Sequence, residues 1–405
     1  MRRRRRHTGE VPDYDHELAQ IVAELNRVAP HGAPGGAPRD SRSYESAAAP
    51  AVDHSSSLDR LLVHAVERGA SDLLVIAGAP VTLRVGGALS PGAGTPLAPE
   101  HTRNLLLPLL TQSQHQELAR TKSVDLCFSR EGIGRFRANI HHQRGTLSGS
   151  FRLLPEAIPT LESLHLPSTL RKLAEARQGL VLISGPTGCG KSSTLAALVD
   201  LINTHRRHHV VTIEDPVEFV HGNRNSIIEQ IEVGRDAPDF ATSVRSILRQ
   251  NPDVILVGEM RDPETIATVL TAAETGHLVL STLHTNDTSQ AVSRILDSFP
   301  SANQPQIRQQ LSLALLAVVA QQLIPSTDGG RQPAVEILMA TSGVRNLIRR
   351  GEDHQIYTAI STGRNAGMIS MEQSLADLVR TGRVSREVAT AHCIRPQDFE
   401  RYLQD

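Results

Sequence analysis

The segment 179-GLVLISGPTGCGKSSTLAALVDLIN-203 contains a continuously apolar run, a glycine-rich stretch and a helix-forming run in direct succession. Its centre, from Gly185 to Ser192, matches the pattern G-x-x-x-x-G-K-[ST]. That pattern forms a phosphate-binding loop when a strand leads into it and a helix follows it. Both flanks are present here, so the segment predicts a strand, a loop and a helix that together bind a nucleotide.

The residue types in this loop suit a phosphate ligand. Glycines let backbone N–H groups curl around phosphate oxygens, and the helix N-terminus adds the positive end of its dipole. Lys191 is expected to reach the β- and γ-phosphates, and Ser192 is expected to bind Mg²⁺. A nucleoside triphosphate with Mg²⁺ is therefore the predicted ligand. The predicted nucleotide-binding residues are Gly185, Pro186, Thr187, Gly188, Cys189, Gly190, Lys191, Ser192 and Ser193.

Three more apolar runs follow the loop: HVVTIED, DVILVGE and HLVLSTLH. Continuous runs rich in β-branched residues are typical of strands buried on both faces of a mostly parallel sheet. Helical segments between them supply the crossovers that parallel strands require, so the predicted fold class is α/β. The longest apolar segment, Leu311 to Ile324, is shorter than the ~20 residues of a membrane span. It is interrupted by Gln321 and Gln322 and is predicted to be a buried helix.

Acidic and histidine side chains follow these strands, at the edge where α/β sheets bind ligands. An NTPase needs a carboxylate that holds Mg²⁺, often through water, and a group that orients the attacking water. Gly258 stands where the usual metal-binding aspartate would be, so Glu214 and Glu259 are the candidates, with Glu259 as the Mg²⁺ ligand. Which glutamate is the general base stays open. His277 and His284 bracket the last strand, and His284 is the candidate contact of the γ-phosphate.

The chain divides into four parts by composition and pattern. Residues 1–55 carry a basic run, a short helical pattern and a Pro/Gly/Ala-rich stretch that predicts a linker. Residues 56–155 predict a small α+β domain, and residues 156–340 contain the α/β core. Residues 341–405 predict a helical C-terminal region.

Four arginines of the small domain, Arg135, Arg137, Arg144 and Arg152, lie within eighteen residues of one another. A solvated basic face is the ordinary interpretation of such a group. The core, however, has no obvious arginine beside its own nucleotide loop, and a neighbouring subunit often supplies one. We therefore predict that Arg137 and Arg152 act on a neighbour's nucleotide.

Composition excludes several other classes of protein. The 405 residues carry 42 Lys and Arg against 43 Asp and Glu, and only 3% are aromatic. Balanced charge and few aromatic side chains argue against nucleic acid as a partner. The three cysteines are isolated and predict neither a disulfide framework nor a zinc site, which suits a reducing cytosol. The N-terminal arginines precede no apolar h-region, so no export signal is expected. Lys191 is one of only three lysines.

Four segments together resemble a known family: GPTGCGKSSTLAALVDLIN, TIEDPVEFVH, RQNPDVILVGEMRDPETI and TAAETGHLVLSTLHT. They are similar to the Walker A, Asp-box, atypical Walker B and His-box segments of the secretion ATPase superfamily, and more narrowly of the PilT-like type IV pilus retraction motors. The resemblance runs from about Leu58 to Phe399. It includes GASDLLVIAGAPVTLRVGG and GIGRFRANI in the small domain and GVRNLIRR near the C-terminus.

The resemblance implies a RecA-like core with a PAS-like N-terminal domain, assembled as a cytoplasmic homo-hexamer at the inner face of the membrane. It implies ATP hydrolysis that powers pilus retraction and twitching motility, and docking on an inner-membrane pilus platform protein. A paralogous pilus ATPase is a further candidate partner. By the same resemblance, Lys191 and Ser192 bind nucleotide and Mg²⁺, Glu214 or Glu259 activates water, and His284 senses phosphate. Assembly-type relatives usually carry a tetracysteine zinc motif and a longer N-terminal region, and this chain has neither.

Three positions depart from the family pattern. Cys189 stands where serine is common, which predicts sensitivity of the loop to thiol reagents. Arg350 replaces a typical glutamate, and Leu74 replaces a frequent histidine.

The residues leave other functions open: another secretion-superfamily motor, such as an accessory pilus ATPase or a DNA-uptake ATPase, a nucleic-acid translocase, or a regulatory nucleotide-binding subunit. A GTPase is not favoured, since no Asn-Lys-x-Asp motif is present.

Overall fold

A computed structural model describes residues 57–92 and 94–404 of the chain. The residues form two compact units, and the division falls between Glu156 and Ala157. The predicted N-terminal extension, with its short helix, lies outside the described residues. The finer division of the chain into four parts stays a prediction.

The first unit is a mixed α+β fold around one antiparallel sheet. Its strands lie in the order β3-β2-β1-β6-β5-β4, and every neighbouring pair is antiparallel. The helices are α1 (Ser57–Glu67), α2 (Pro99–Leu106) and α3 (Gln112–Thr121). The strands are β1 (Asp72–Ile76), β2 (Thr82–Val85), β3 (Ala88–Pro91), β4 (Ser123–Arg130), β5 (Gly134–Gln143) and β6 (Thr146–Leu154).

Alternation along β5 shows how this sheet separates its two faces. Phe136, Ala138 and Ile140 are buried, whereas Arg135 and Arg137, which alternate with them, are only partly covered. Successive side chains of a strand point to opposite faces, so the buried set forms the core face. The unit's apolar core combines these residues with leucines of α1 and α2. The arginine-bearing face therefore lies opposite the core.

The second unit is built on a seven-stranded, mostly parallel sheet, as the apolar runs predict. Its strand order is β13-β12-β7-β11-β10-β8-β9, and only β13 is antiparallel to its neighbour. The strands are β7 (Gly179–Ser184), β8 (His209–Glu214), β9 (Ile227–Glu232), β10 (Val254–Val257), β11 (Leu278–Leu283), β12 (Leu315–Pro325) and β13 (Arg331–Met339).

Helices cover both faces of this sheet, and the last helices of the chain pack beside β12 and β13. Those before β12 are α4 (Arg171–Ala174), α5 (Lys191–His205), α6 (Phe240–Ile247), α7 (Pro263–Glu274), α8 (Thr288–Asp297) and α9 (Gln304–Ala314). Those after β13 are α10 (Ser342–Arg350), α11 (Ile356–Thr362), α12 (Met371–Arg380), α13 (Arg386–His392) and α14 (Pro396–Gln404). Short 3₁₀ turns lie at Leu107–Leu109, Ser168–Leu170, Asp353–Gln355 and Arg364–Ala366. Two apolar clusters lie on opposite faces of the sheet, which makes its central strands buried on both sides.

One prediction about secondary structure was wrong. The segment Leu311–Ile324 is not a single buried helix, because α9 ends at Ala314 and β12 begins at Leu315. β12 runs parallel to β7 and antiparallel to β13, and its side chains join the apolar clusters on both faces of the sheet. A continuous apolar run of this length fits a buried strand and a buried helix equally well, and periodicity cannot separate them.

The C-terminal helices pack on the end of the sheet next to β12 and β13. Ile324 and Ala334 of these strands share an apolar cluster with Leu375, Phe399 and other side chains of the last helices. These helices therefore belong to the same compact unit as the core. None of the helices within the described residues combines the length and the apolar character of a membrane span.

Candidate nucleotide-binding site

The glycine-rich loop connects β7 to α5 at the carboxyl edge of the parallel sheet. Its three glycines have positive φ angles: 142° at Gly185, 80° at Gly188 and 95° at Gly190. Side chains other than that of glycine are strained in this region. At Gly185 space is also lacking, because a Cβ would lie 2.2 Å from the backbone oxygen of Gln321. Close approach of the loop to β12 therefore requires glycine at this position.

Lys191 lies at the first residue of α5, and its side chain turns back into the loop. Its Nζ donates to the backbone oxygens of Gly185, at 2.8 Å, and Pro186, at 3.1 Å. Burial lowers the pKa of the Lys191 ammonium group. The loop thus satisfies this buried cation with its own carbonyl groups.

Glu259 and His284 lie next to this lysine. The Nδ1 of His284 is 3.5 Å from Nζ of Lys191, and its Nε2 is 3.7 Å from Oε2 of Glu259. Partial burial, followed by the neighbouring lysine charge, lowers the pKa of His284, which favours a neutral ring at neutral pH. The other carboxylate oxygen of Glu259 pairs with Arg261 at 2.5 Å. Three predicted site residues are therefore in one chain of contacts.

Glu214 ends the neighbouring strand β8 in a different environment. Its Oε1 accepts hydrogen bonds from Oγ1 of Thr212, at 2.7 Å, and from Nε2 of Gln230, at 3.2 Å. Burial raises the pKa of the Glu214 carboxyl group above its ordinary value, and the two hydrogen bonds oppose that rise. A carboxylate with a raised pKa suits proton transfer near neutral pH.

Gly258 explains why the usual aspartate is missing from this edge. Its N–H donates to the backbone oxygen of Ile213 at 2.8 Å, so the ladder between β8 and β10 continues past the end of β10. A Cβ at Gly258 would lie 3.2 Å from that same oxygen. The two strands are therefore close here, and the acidic side chain appears one residue later, at Glu259.

The structure separates the two histidines that bracket β11. His284 follows the strand at the carboxyl edge, beside Lys191. His277 precedes the strand, and its Nδ1 is 2.9 Å from the backbone oxygen of Ala272 in α7. Since the two ends of one strand lie at opposite edges of the sheet, His277 lies away from the nucleotide loop.

The two predicted arginines lie side by side in the first unit. Arg137 of β5 is directly opposite Arg152 of β6, and Arg152 is opposite Asp72 of β1. Nε of Arg152 pairs with Oδ1 of Asp72 at 3.0 Å, and the Arg152 side chain stays 65% exposed. Their action on a neighbour's nucleotide remains a prediction.

Sequence reasoning missed two residues that contact the predicted site. Gln321 of β12 is buried and hydrogen-bonded to the loop, although the sequence shows it only as a polar break in an apolar run. Arg261 forms an ion pair with Glu259, and no sequence pattern indicates that contact. A buried amide has to be hydrogen-bonded, so an amide within an apolar run is the signal that could have identified Gln321.

Oxygen donors suited to a divalent cation are present at the loop. Ser192 supplies a partly exposed hydroxyl group in the first turn of α5, and Glu259 supplies a carboxylate that is 12% exposed. Mg²⁺ prefers oxygen ligands and usually keeps several waters, so these two groups fit it. Cys189 beside them is buried, and burial raises the pKa of its thiol, which opposes the predicted reactivity.

Comparison with known proteins places the chain among secretion motors. Residues 162–392 match the family model of the type II/IV secretion system protein. The chain is 40% identical over 342 residues to the type IV pilus retraction ATPase PilT of Pseudomonas aeruginosa, covering 84% of this chain and 99% of that protein. It is also 40% identical over 347 residues to the type IV pilus ATPase PilU of the same organism, covering 85% and 91%.

A solved structure is similar over the same extent. The crystal structure of the pilus retraction motor PilT with bound ADP superposes with a TM-score of 0.78 at 41% identity. The match covers 83% of this chain and 97% of that one.

Proposed function

The chain belongs to the type II/IV secretion ATPase family, and from that membership and its complete nucleotide loop we propose that it hydrolyses ATP to power type IV pilus retraction. The observation that carries the proposal is the contact of Lys191 with both the loop carbonyls and His284. Entry of a phosphate would draw the ammonium group away from Gly185 and Pro186. The loop thus couples binding of the nucleotide to the position of residues at the strand ends.

Each residue at this edge has a proposed task. Backbone N–H groups of Gly188 to Ser192 bind phosphate oxygens, and Lys191 neutralises charge on the β- and γ-phosphates. Glu214 accepts a proton from water as that water attacks the γ-phosphorus and the bond to the ADP oxygen breaks. The raised pKa of Glu214 and its hydrogen bond from Thr212 support this assignment. His284, neutral and next to Lys191, contacts the γ-phosphate and responds to its loss.

Mg²⁺ would be held by Ser192 and Glu259, directly or through water, and would neutralise phosphate charge when bound. Glu259 pairs with Arg261 at 2.5 Å in the present structure.

The proposed assembly is a homo-hexamer in which Arg137 and Arg152 of one subunit act on the nucleotide of the next. Arginines supplied from a neighbour stabilise charge that develops during phosphoryl transfer. The proposed site of action is the cytoplasmic face of the inner membrane, where an integral platform protein of the pilus would receive the motion. ATP hydrolysis would drive domain movement, and that movement or product release would limit turnover.

Deletion of the gene, followed by a count of surface pili and a twitching assay, tests the direction of the motor. We expect more surface pili and no twitching, because assembly continues without removal. Complementation with the wild-type gene and with Lys191→Ala separates loss of hydrolysis from loss of the protein. Loss of pili in the deletion strain would instead make the protein an assembly motor.

An accessory pilus ATPase is the second candidate, since identity to the retraction ATPase and to PilU is the same. The two are distinguished by expressing this chain alone in a strain that lacks other retraction ATPases. Restored retraction indicates an independent motor. Retraction that returns only when a second pilus ATPase is also expressed indicates the accessory role.

A further inference from the structure

One buried amide lies between the nucleotide loop and its neighbouring strand. Gln321 is 2% exposed and belongs to β12, next to β7 in the sheet. Its Nε2 donates to the backbone oxygen of Cys189 at 2.6 Å. Its Oε1 accepts from Oγ1 of Thr194 at 2.9 Å, in the first turn of α5. The side chain thus bonds simultaneously to the loop and to the helix that follows it.

Strand geometry gives the amide a fixed position. Alternate residues of β12 face opposite sides of the sheet, and Gln321 shares its side with Ala317 and Val319 in the apolar cluster under α5. In addition, a Cβ at Gly185 would lie only 2.2 Å from the backbone oxygen of Gln321. Both ends of the nucleotide loop therefore contact a single residue of β12.

The bond to Cys189 has a consequence for the next N–H group. The carbonyl of Cys189 and the N–H of Gly190 belong to one peptide unit, and in a trans peptide these two groups point in opposite directions. A carbonyl held toward Gln321 therefore directs the N–H of Gly190 away from β12. N–H groups of such a loop are the ones that bind phosphate oxygens.

We propose that Gln321 is a positioning residue that orients the Cys189–Gly190 peptide for phosphate binding. Both ends of its buried amide are already bonded, to Cys189 and to Thr194, so it acts through the loop and not on the nucleotide. The proposal rests on the nucleotide site proposed above. It assigns a functional reason to a polar residue that interrupts an otherwise apolar, buried strand.

Gln321→Met is the decisive variant, because methionine has a similar volume and lacks the amide donor. Thr194→Val removes the hydroxyl group that donates to Oε1 of Gln321 and to the backbone oxygen of Gly190, and leaves the bond to Cys189. Gln322→Leu is the matched control: it lies one residue along β12, faces the other side of the sheet and is partly buried. Each full-length protein is measured for ATP and ADP affinity, kcat and KM, and melting temperature with and without nucleotide.

We expect the Kd of Gln321→Met for ATP and ADP to rise about tenfold, while kcat at saturating ATP changes less than threefold. The effect of Thr194→Val should be smaller, and Gln322→Leu should match the wild type. The nucleotide-free melting temperature should fall somewhat, because the buried carbonyl of Cys189 loses its donor, and the increase produced by saturating ADP should shrink as well. A higher Kd at nearly unchanged kcat, together with a smaller increase in melting temperature on adding ADP, assigns the effect to phosphate binding and not to general packing.

Unchanged nucleotide affinity in folded Gln321→Met would overturn the proposal. If this variant does not fold, Thr194→Val tests the proposal instead. A Kd of Thr194→Val for ATP equal to that of the wild type would then contradict the role of Gln321 in positioning the loop. Failure of the wild-type protein to bind ATP would instead contradict the nucleotide site itself. The two failures are therefore distinguishable.

Discussion

Two clusters of charged residues, one in each unit of the chain, differ in how deeply their charges are buried. In the second unit, buried Lys191 and largely buried Glu259 form a cluster with His284, which contacts both and whose own side chain is 53% exposed. In the first unit, Arg152 and Arg84 flank Asp72 on the face of the sheet opposite its core, and the side chain of Arg152 is 65% exposed.

The difference follows from the cost of burying charge. A charge in a low-dielectric setting is expensive unless it is paired, so neighbours strongly influence its protonation. Exposed pairs contribute at most about 1 kcal/mol to stability. The buried cluster is therefore expected to be most sensitive to substitution at Lys191 and Glu259, whereas the exposed arginines are free to serve another surface at little cost to their own unit.

The largest expected effect is that of Lys191→Ala in the buried cluster. Hydrolysis should fall by about a thousandfold, because the charge that stabilises the phosphates is lost. Phosphate release measured at steady state checks this. Lys172→Ala, an exposed lysine of the same unit, should leave activity unchanged. Undiminished turnover in a folded Lys191→Ala protein would reject the site.

A smaller effect is expected for Glu214→Gln, with a fall in kcat of about a hundredfold, typical of a lost general base. Glutamine keeps an acceptor for Thr212, so nucleotide affinity should stay near that of the wild type. Glu229→Gln, on the exposed edge strand β9, is the control. A larger fall in kcat for Glu259→Gln, with activity retained in Glu214→Gln, would move the base to Glu259.

The exposed arginines should show a weaker effect of a different kind. Arg137→Ala or Arg152→Ala should lower turnover about tenfold. This is less than the loss expected when a single arginine finger is removed, because two side chains share the task. Nucleotide affinity and unfolding free energy should change little. Arg84→Ala, on the same face and also paired with Asp72, is the control. Mixing arginine variants with Lys191→Ala subunits should restore some activity at mixed interfaces, and no rescue would argue against action in trans.

The smallest effect concerns pH. If Glu214 is the base, it must be ionised, so hydrolysis falls as the pH drops through its pKa. Burial raises that pKa, which places the acid limb of the pH–rate profile above the usual range of a glutamate. The Thr212 hydroxyl group lowers the pKa of Glu214, so Thr212→Val should raise it and move the acid limb to higher pH. A limb that moves to lower pH, or does not move, would contradict this role.

Much of the second unit could be predicted from sequence because its signals are local. The loop pattern and the four apolar runs predict β7, β8, β10 and β11. Strands buried on both faces are continuously apolar, and each of these strands ends in a polar residue or is followed by one within two residues, at the same edge of the parallel sheet. For the same reason, the side chains of Lys191, Glu259 and His284 could be expected to lie together, and the structure brings them together.

Other elements were not predictable because their signals are not local. β9 carries mixed polar and apolar residues at an exposed edge, and β12 follows directly on a helix, with no turn signal between them. The pairing of Arg261 with Glu259 was not predictable either, because it depends on side-chain conformation. The separation of His277 from His284, by contrast, follows from the direction of the strand between them, which the sequence does imply.

By itself, the sequence determined the fold class, the nucleotide loop and the strand-end residues, because these depend on short patterns with a direct physical cause. Only the tertiary structure decided the role of β12. A glutamine 132 residues from Cys189 contacts the loop because β12 pairs with β7, and strand order in a sheet is a property of long-range packing. The polar interruption that makes this segment look like a poor strand is where the sheet contacts its nucleotide loop.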